Sequence, residues 1–155
     1  MVRYVNHDVV FREFPDEVAL AINLSGCPNA CPGCHSAYLQ ADVGDELTPD
    51  RLDAILGGLS GLITCVGFMG GDADAAGVRR LAAHVRQNWP ALRTGWYSGR
   101  TVVPAATFSG VFDYVKLGPY VAALGPLDRP TTNQRFYRVG RDGLVADETA
   151  RFWSR

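Results

Sequence analysis

The chain has 155 residues, 47% of them apolar, and 16 acidic against 15 basic side chains leave a formal charge of −1. That length suits a single domain spanning 1–155 with a real hydrophobic core, and the apolar fraction excludes a disordered chain. The near-zero charge gives no electrostatic reason to bind nucleic acid or an anionic membrane.

Residues 1–8 lack the apolar stretch and small-residue cleavage site of a signal peptide. The strongest apolar runs, such as residues 18–22, are far shorter than the ~20 residues that span a bilayer. The expectation is a cytoplasmic protein, in a reducing compartment where disulfides are rare.

In chain order, residues 18–24 predict a buried strand. Residues 48–59 predict a helix, with Thr48 as N-cap and Pro49 at its first position. A second buried strand follows over 62–68. Residues 75–88 predict a helix with Val78, Leu81, Ala82 and Val85 on one face and Pro90 just beyond its end. Strands are expected over 93–97, 111–117 and 135–139, with a short helix or turn near 104–109.

Alternation of apolar strands with helices argues for an α/β fold with a mainly parallel sheet and helices on the outside. A complete eight-unit barrel takes ~250 residues, so the architecture expected is a partial, open barrel. Parallel sheets collect ligands at the carboxyl ends of their strands. Cys27, Gly70–Asp72, Ser98–Arg100 and Gly118–Tyr120 all follow predicted strands.

Three of the four cysteines, Cys27, Cys31 and Cys34, lie within eight residues with the spacing C-x3-C-x2-C. A four-iron, four-sulfur cluster is usually held by four thiolates, so three leave one iron open to a small molecule. Gly26, Pro28, Pro32 and Gly33 suit a loop folded tightly around such a cube, with backbone N–H groups turned to its sulfides. A structural zinc site is the alternative, but it wants four tetrahedral ligands, and His35 directly after Cys34 makes a poor fourth. Cys65, inside an apolar strand, reads as a small core hydrophobe.

The C-x3-C-x2-C loop directly after a first strand resembles the hallmark of the radical S-adenosylmethionine superfamily. Further segments narrow the resemblance to the anaerobic ribonucleotide reductase activating proteins. They include Ile22-Asn23-Leu24-Ser25-Gly26-Cys27, Cys31-Pro32-Gly33-Cys34-His35-Ser36, Phe68-Met69-Gly70-Gly71-Asp72 and Trp96-Tyr97-Ser98-Gly99. Tyr114-Val115-Lys116-Leu117-Gly118-Pro119-Tyr120, Gly125-Pro126-Leu127 and Thr131-Thr132-Asn133-Gln134-Arg135 complete the match.

The resemblance implies an abridged radical-SAM-type barrel carrying a 4Fe–4S cluster on Cys27, Cys31 and Cys34. Reduced by a flavodoxin- or ferredoxin-type donor, it would cleave S-adenosylmethionine to a 5′-deoxyadenosyl radical. That radical would take a hydrogen from a glycine of the anaerobic (class III) ribonucleoside-triphosphate reductase. It also implies that Gly70-Gly71-Asp72 meets the methionine ammonium. Lys116 would contact the cofactor carboxylate or ribose, and Ser98 or Tyr97 the ribose hydroxyls. Many superfamily members carry an aromatic residue before the third cysteine. Here that residue is Gly33, so adenine packing falls to His35 or Tyr38.

Each assignment has a structural counterpart. Asp72 or Asp74 can cap the next helix, Lys116 can pair with Asp113 or Asp72, and Ser98 and Tyr97 can form a turn. His7 and His84 have no partner pattern. The arginine excess after residue 129 suits either a docking surface or a solvated one. A homodimer is left open, as are another glycyl radical enzyme as partner, a non-catalytic iron–sulfur electron carrier and a zinc-binding interaction module.

Overall fold

A computed structural model describes residues 1–26, 43–140, 143 and 145–153. Its centre is one mixed sheet. In chain order the elements are β1 (Arg3–Val10), β2 (Ala19–Leu24), β3 (Asp45–Glu46), α1 (Pro49–Gly57), β4 (Cys65–Met69), α2 (Ala75–Asn88), β5 (Arg93–Tyr97), α3 (Ala105–Phe108), β6 (Tyr114–Leu117), β7 (Arg135–Val139) and β8 (Val145–Asp147). Short 3-10 turns cover Asp72–Asp74 and Thr149–Phe152. The spatial order is β3-β1-β2-β4-β5-β6-β7-β8.

The α/β expectation holds, and the mainly parallel sheet is corrected. Strands β2, β4, β5 and β6 pair in parallel at the centre. β1 and β3 on one side, and β7 and β8 on the other, are antiparallel additions. The parallel strands are the apolar ones, because crossover helices cover them. β1 exposes the middle of its run, Val5 to Asp8, and is held chiefly by backbone pairing with β2, so its sequence carries little apolar signal.

The helices form for legible reasons. Thr48 Oγ1 accepts from Arg51 N at 3.1 Å, capping α1 ahead of Pro49. Asp74 Oδ1 accepts from Gly77 N at 3.0 Å, capping α2. Leu52 and Leu56 of α1 and Val78, Leu81, Ala82 and Val85 of α2 join one buried cluster with Leu20, Ile22, Leu24, Val66, Phe68, Trp96 and Val115. Those strand residues share one face by the period of two. The other face carries a second cluster built from Phe14, Ala19, Cys65, Tyr114, Phe136 and Phe152. Among the described residues, no helix is long and apolar enough to cross a membrane.

Candidate functional site

The register of the parallel strands places four side chains in one row at their carboxyl ends. Asn23 pairs with Met69, Met69 with Tyr97, and Tyr97 with Lys116. All four alternate onto the face away from α1 and α2. Two residues earlier, the row is Ala21, Gly67, Gly95 and Tyr114. The carboxyl-terminal row thus carries large side chains, polar at Asn23 and Lys116, above a row that is mostly small.

Lys116 is buried. Its Nζ donates to the carbonyls of Ser98 and Gly118, each at 3.1 Å, and stands 5.3 Å from the centre of the Tyr97 ring. The carbonyl dipoles and the ring face both stabilise an ammonium taken from water. Asp113, one partner expected for it, bonds instead to Arg86 at 3.1 Å and to Thr94 N at 2.9 Å.

Gly70 and Gly71 turn the chain away from β4 with φ of 103° and 86°. Gly71 also has no room for a side chain: a methyl there would sit 2.6 Å from Val78 Cγ2 and 2.8 Å from Leu24 Cδ1. Asp72 is buried at 3% exposure, and both its oxygens are bonded within the chain. Oδ1 accepts from Ser98 Oγ at 2.6 Å and Oδ2 from Gly99 N at 2.9 Å. Ser98 Oγ in turn accepts from Arg100 N at 3.1 Å, and Arg100 Nη2 donates to the Asp72 carbonyl at 3.0 Å.

Asp72 therefore ties the end of β4 to the end of β5, and Asp74 is the helix cap. The Gly70 carbonyl accepts from the Trp96 indole at 2.7 Å. A carbonyl has two lone pairs, so a second donor can share it.

The cysteine loop starts beside these ends. Ser25 and Gly26 follow β2, Gly26 with a φ of 72°, and Ser25 Oγ donates to the Val43 carbonyl. The chain thus leaves and returns at one point, spanning residues 27–42 between. Cys27, Cys31, Gly33, Cys34, His35 and Tyr38 lie outside the described residues. Beside Gly26 lies a polar cleft of about 620 Å³, with Arg3, Ser25, Asp74 and Arg80 in its wall. A second cleft, of about 360 Å³, touches Tyr97 and is bounded by Arg12, Glu13, Leu127 and Asp128.

Cys65 opens β4, four residues before Met69 and so roughly 13 Å along the strand from the carboxyl-terminal row. It is fully buried, and burial, reinforced by the Glu17 carboxylate, raises its thiol well above the usual range. A thiol so placed favours its protonated form and packs as a small core hydrophobe. Among the described residues, no group of three or more His, Cys, Asp or Glu is arranged to hold a metal. The three clustered cysteines, Cys27, Cys31 and Cys34, follow β2 in the sequence and are the donors that a site-differentiated cluster would use.

Asn23 and Met69 carry no chemical motif, and the sequence reading passed over them as site residues. Neither lies in the period-two series counted back from the expected strand ends, Leu24 and Phe68, so only the register brings them into the row. His84, on α2, bonds Asp53, on α1, at 2.8 Å, away from the strand-end row. Three of the C-terminal arginines pair with nearby carboxylates: Arg151 with Asp16 and Glu148, Arg138 with Glu148, and Arg135 with Asp147. That pairing suits a solvated surface. In comparisons with known proteins, no family, curated protein or solved structure matches the chain.

Proposed function

We propose that this chain is a radical S-adenosylmethionine enzyme of the activase kind, built on a half-barrel. It would generate the glycyl radical of an anaerobic ribonucleoside-triphosphate reductase, with a flavodoxin- or ferredoxin-type protein as electron donor. One observation carries the reading. Three thiols within eight residues follow the carboxyl end of a central parallel strand, whose neighbours present Asn23, Met69, Tyr97 and Lys116 in register.

Cys27, Cys31 and Cys34 would hold the cluster. When bound, such a cluster with one open iron supplies the electron that splits S-adenosylmethionine into methionine and a 5′-deoxyadenosyl radical, which takes a hydrogen atom from a glycine Cα. The chain's own contribution is binding and orientation. The shared Gly70 carbonyl and the Asp72 carboxylate offer acceptors for an ammonium. The Lys116 ammonium offers a positive charge to a carboxylate. Tyr97 and Met69 form an apolar step against which an adenosyl group can rest. No general acid or base is required for that chemistry.

The test is anaerobic reconstitution with iron and sulfide, followed by dithionite and S-adenosylmethionine. A brown four-iron chromophore and 5′-deoxyadenosine are expected. Alanine at any of Cys27, Cys31 or Cys34 abolishes both, and Cys65→Ala keeps both. With the reductase from the same cell, a doublet paramagnetic signal appears on the reductase. Deuterium from its glycine Cα then moves into 5′-deoxyadenosine. A stable chromophore without cleavage marks an electron carrier, bound zinc marks an interaction module, and either outcome sinks the proposal.

A further inference from the structure

The row beneath the candidate site, Ala21, Gly67, Gly95 and Tyr114, leaves a trough across two adjacent strands, and one side chain fills it. Phe14, 1% exposed, lies over the paired glycines. A methyl on Gly67 would sit 2.3 Å from Phe14 Cε2, and one on Gly95 would sit 2.1 Å from Phe14 Cε1. Phe14 also meets Tyr97 edge-on at 5.2 Å between ring centres. The Tyr97 hydroxyl donates to the carbonyl of Glu13, the neighbouring residue, at 2.5 Å. The ring therefore touches the trough below and the carboxyl-terminal row above.

The segment carrying Phe14 is pinned. Glu17 N donates to the Phe14 carbonyl at 3.1 Å, with Pro15 second in the turn and Asp16 third at a φ of 67°. The buried Glu17 carboxylate accepts from Thr64 Oγ1 at 2.7 Å, Tyr114 OH at 2.6 Å and Arg93 Nη1 at 3.2 Å. Asp16 pairs with Arg151. These bonds come from β5, β6, the residue before β4 and the C-terminal turn, so Phe14 cannot swing out without breaking several at once.

We infer that Phe14 is the specificity-determining floor of the candidate site: it fills the trough beneath the strand-end row, the depth at which a small metabolite would otherwise bury itself there. With that depth filled, the strand-end row opens sideways to the cleft beside Tyr97, a form that takes an extended segment such as a loop presented by a partner protein. The choice of a protein substrate rests on the proposed function, whereas the floor itself does not.

The phenyl ring is benzene in shape, and its neighbours across the trough are backbone atoms of Gly67 and Gly95, fixed in the sheet ladder. Removing the ring leaves a hole that those strands cannot close. Apolar holes of that kind stay dry and take benzene.

The experiment titrates benzene into the full chain without cofactor, followed by amide and aromatic NMR. Wild type shows no saturable binding. Phe14→Ala binds benzene, with shifts at Ala21, Gly67, Gly95 and the Tyr97 ring. Where Phe14→Ala fails to fold, Phe14→Leu is tested with xenon, and shifts at the same amides are expected. Benzene binding equally to wild type, or a folded variant that takes no probe, overturns the floor.

The reconstituted protein is then given free glycinamide in place of the partner. In wild type it leaves 5′-deoxyadenosine formation unchanged, and in the probe-binding variant it raises formation at least several-fold. Equal stimulation in both, or none in the variant although it cleaves the cofactor, overturns the link between floor and substrate. If neither protein cleaves S-adenosylmethionine, the proposed function fails while the probe result still decides the floor.

Discussion

Replacing Asp72 by Ala removes the acceptor of one buried donor, the Ser98 hydroxyl at 2.6 Å, and one part-buried donor, the Gly99 N–H at 2.9 Å. Ser98 is fully buried, so its hydroxyl has no water to turn to. A hydrogen bond to a charged group contributes roughly 1.5–3 kcal/mol, and the pair therefore about 3–6 kcal/mol. Asp72→Asn keeps one oxygen for Gly99 and turns its NH₂ toward Ser98 Oγ, which can accept in place of donating. That exchange should cost about 1–2 kcal/mol.

Urea unfolding followed by tryptophan fluorescence measures both, since the buried Trp96 indole bonds the Gly70 carbonyl beside the mutated residue. The midpoints should fall in the order wild type, Asn, Ala with an unchanged slope. An Ala variant within about 1 kcal/mol of wild type, or an Asn variant as unstable as Ala, would refute the tie between β4 and β5. Calorimetry of the reconstituted Asn variant with S-adenosylmethionine separates roles. Unchanged affinity makes Asp72 an internal strut, and weakened affinity makes it a ligand contact as well.

Gly71→Ala adds a methyl 2.6 Å from Val78 Cγ2 at a φ of 86°, and should destabilise by about 1–3 kcal/mol or more; a thermal melt matching wild type would show that α2 can shift. Asp74→Ala removes the α2 cap, for about 1 kcal/mol at neutral pH. Its carboxyl is held below its ordinary value of 3.8 by the Met1 amine and then by Gly77 N–H. The cap's contribution is therefore complete above 3.8 and fades as pH falls through the lower folded value, so wild type and variant should converge in acid unfolding curves. The Tyr114 phenol is pushed well above its usual value of 10 by burial and then by the Glu17 carboxylate that accepts its proton. A raised acid is protonated longer in the folded chain, so stability falls as pH rises above 10, and ultraviolet titration should show a tyrosinate step, absent from Tyr114→Phe, only on unfolding; the same step in folded protein below about pH 11 would contradict it.

Elements governed by local rules were legible in the sequence by itself. α2 runs over 75–88 as its apolar period and Pro90 require, and β5 and β7 occupy 93–97 and 135–139 as expected. Thr48 and Pro49 announce the start of α1, although the helix ends at Gly57, two residues early. β4 begins at Cys65 because Leu62 is turned to solvent, and β6 begins at Tyr114 because residues 111 and 112 belong to the turn after α3. The clustering of Cys27, Cys31 and Cys34, and the chemistry it suggests, is likewise a property of the chain alone.

Tertiary structure decided the rest. β1, β3 and β8 are polar or exposed and exist through backbone pairing with neighbours distant in sequence, which no local apolar pattern records. Asp72 looks like a cap or a ligand until β5 brings Ser98 and Gly99 to it across 26 and 27 positions. The row of Asn23, Met69, Tyr97 and Lys116 exists only because the crossovers set each parallel strand in one register. Phe14 is an ordinary apolar residue in the sequence. It becomes the floor of the site because Gly67 and Gly95, 28 positions apart, meet side by side and leave a gap of its shape. Register and close packing are relations between strands, so they appear only when the strands are assembled.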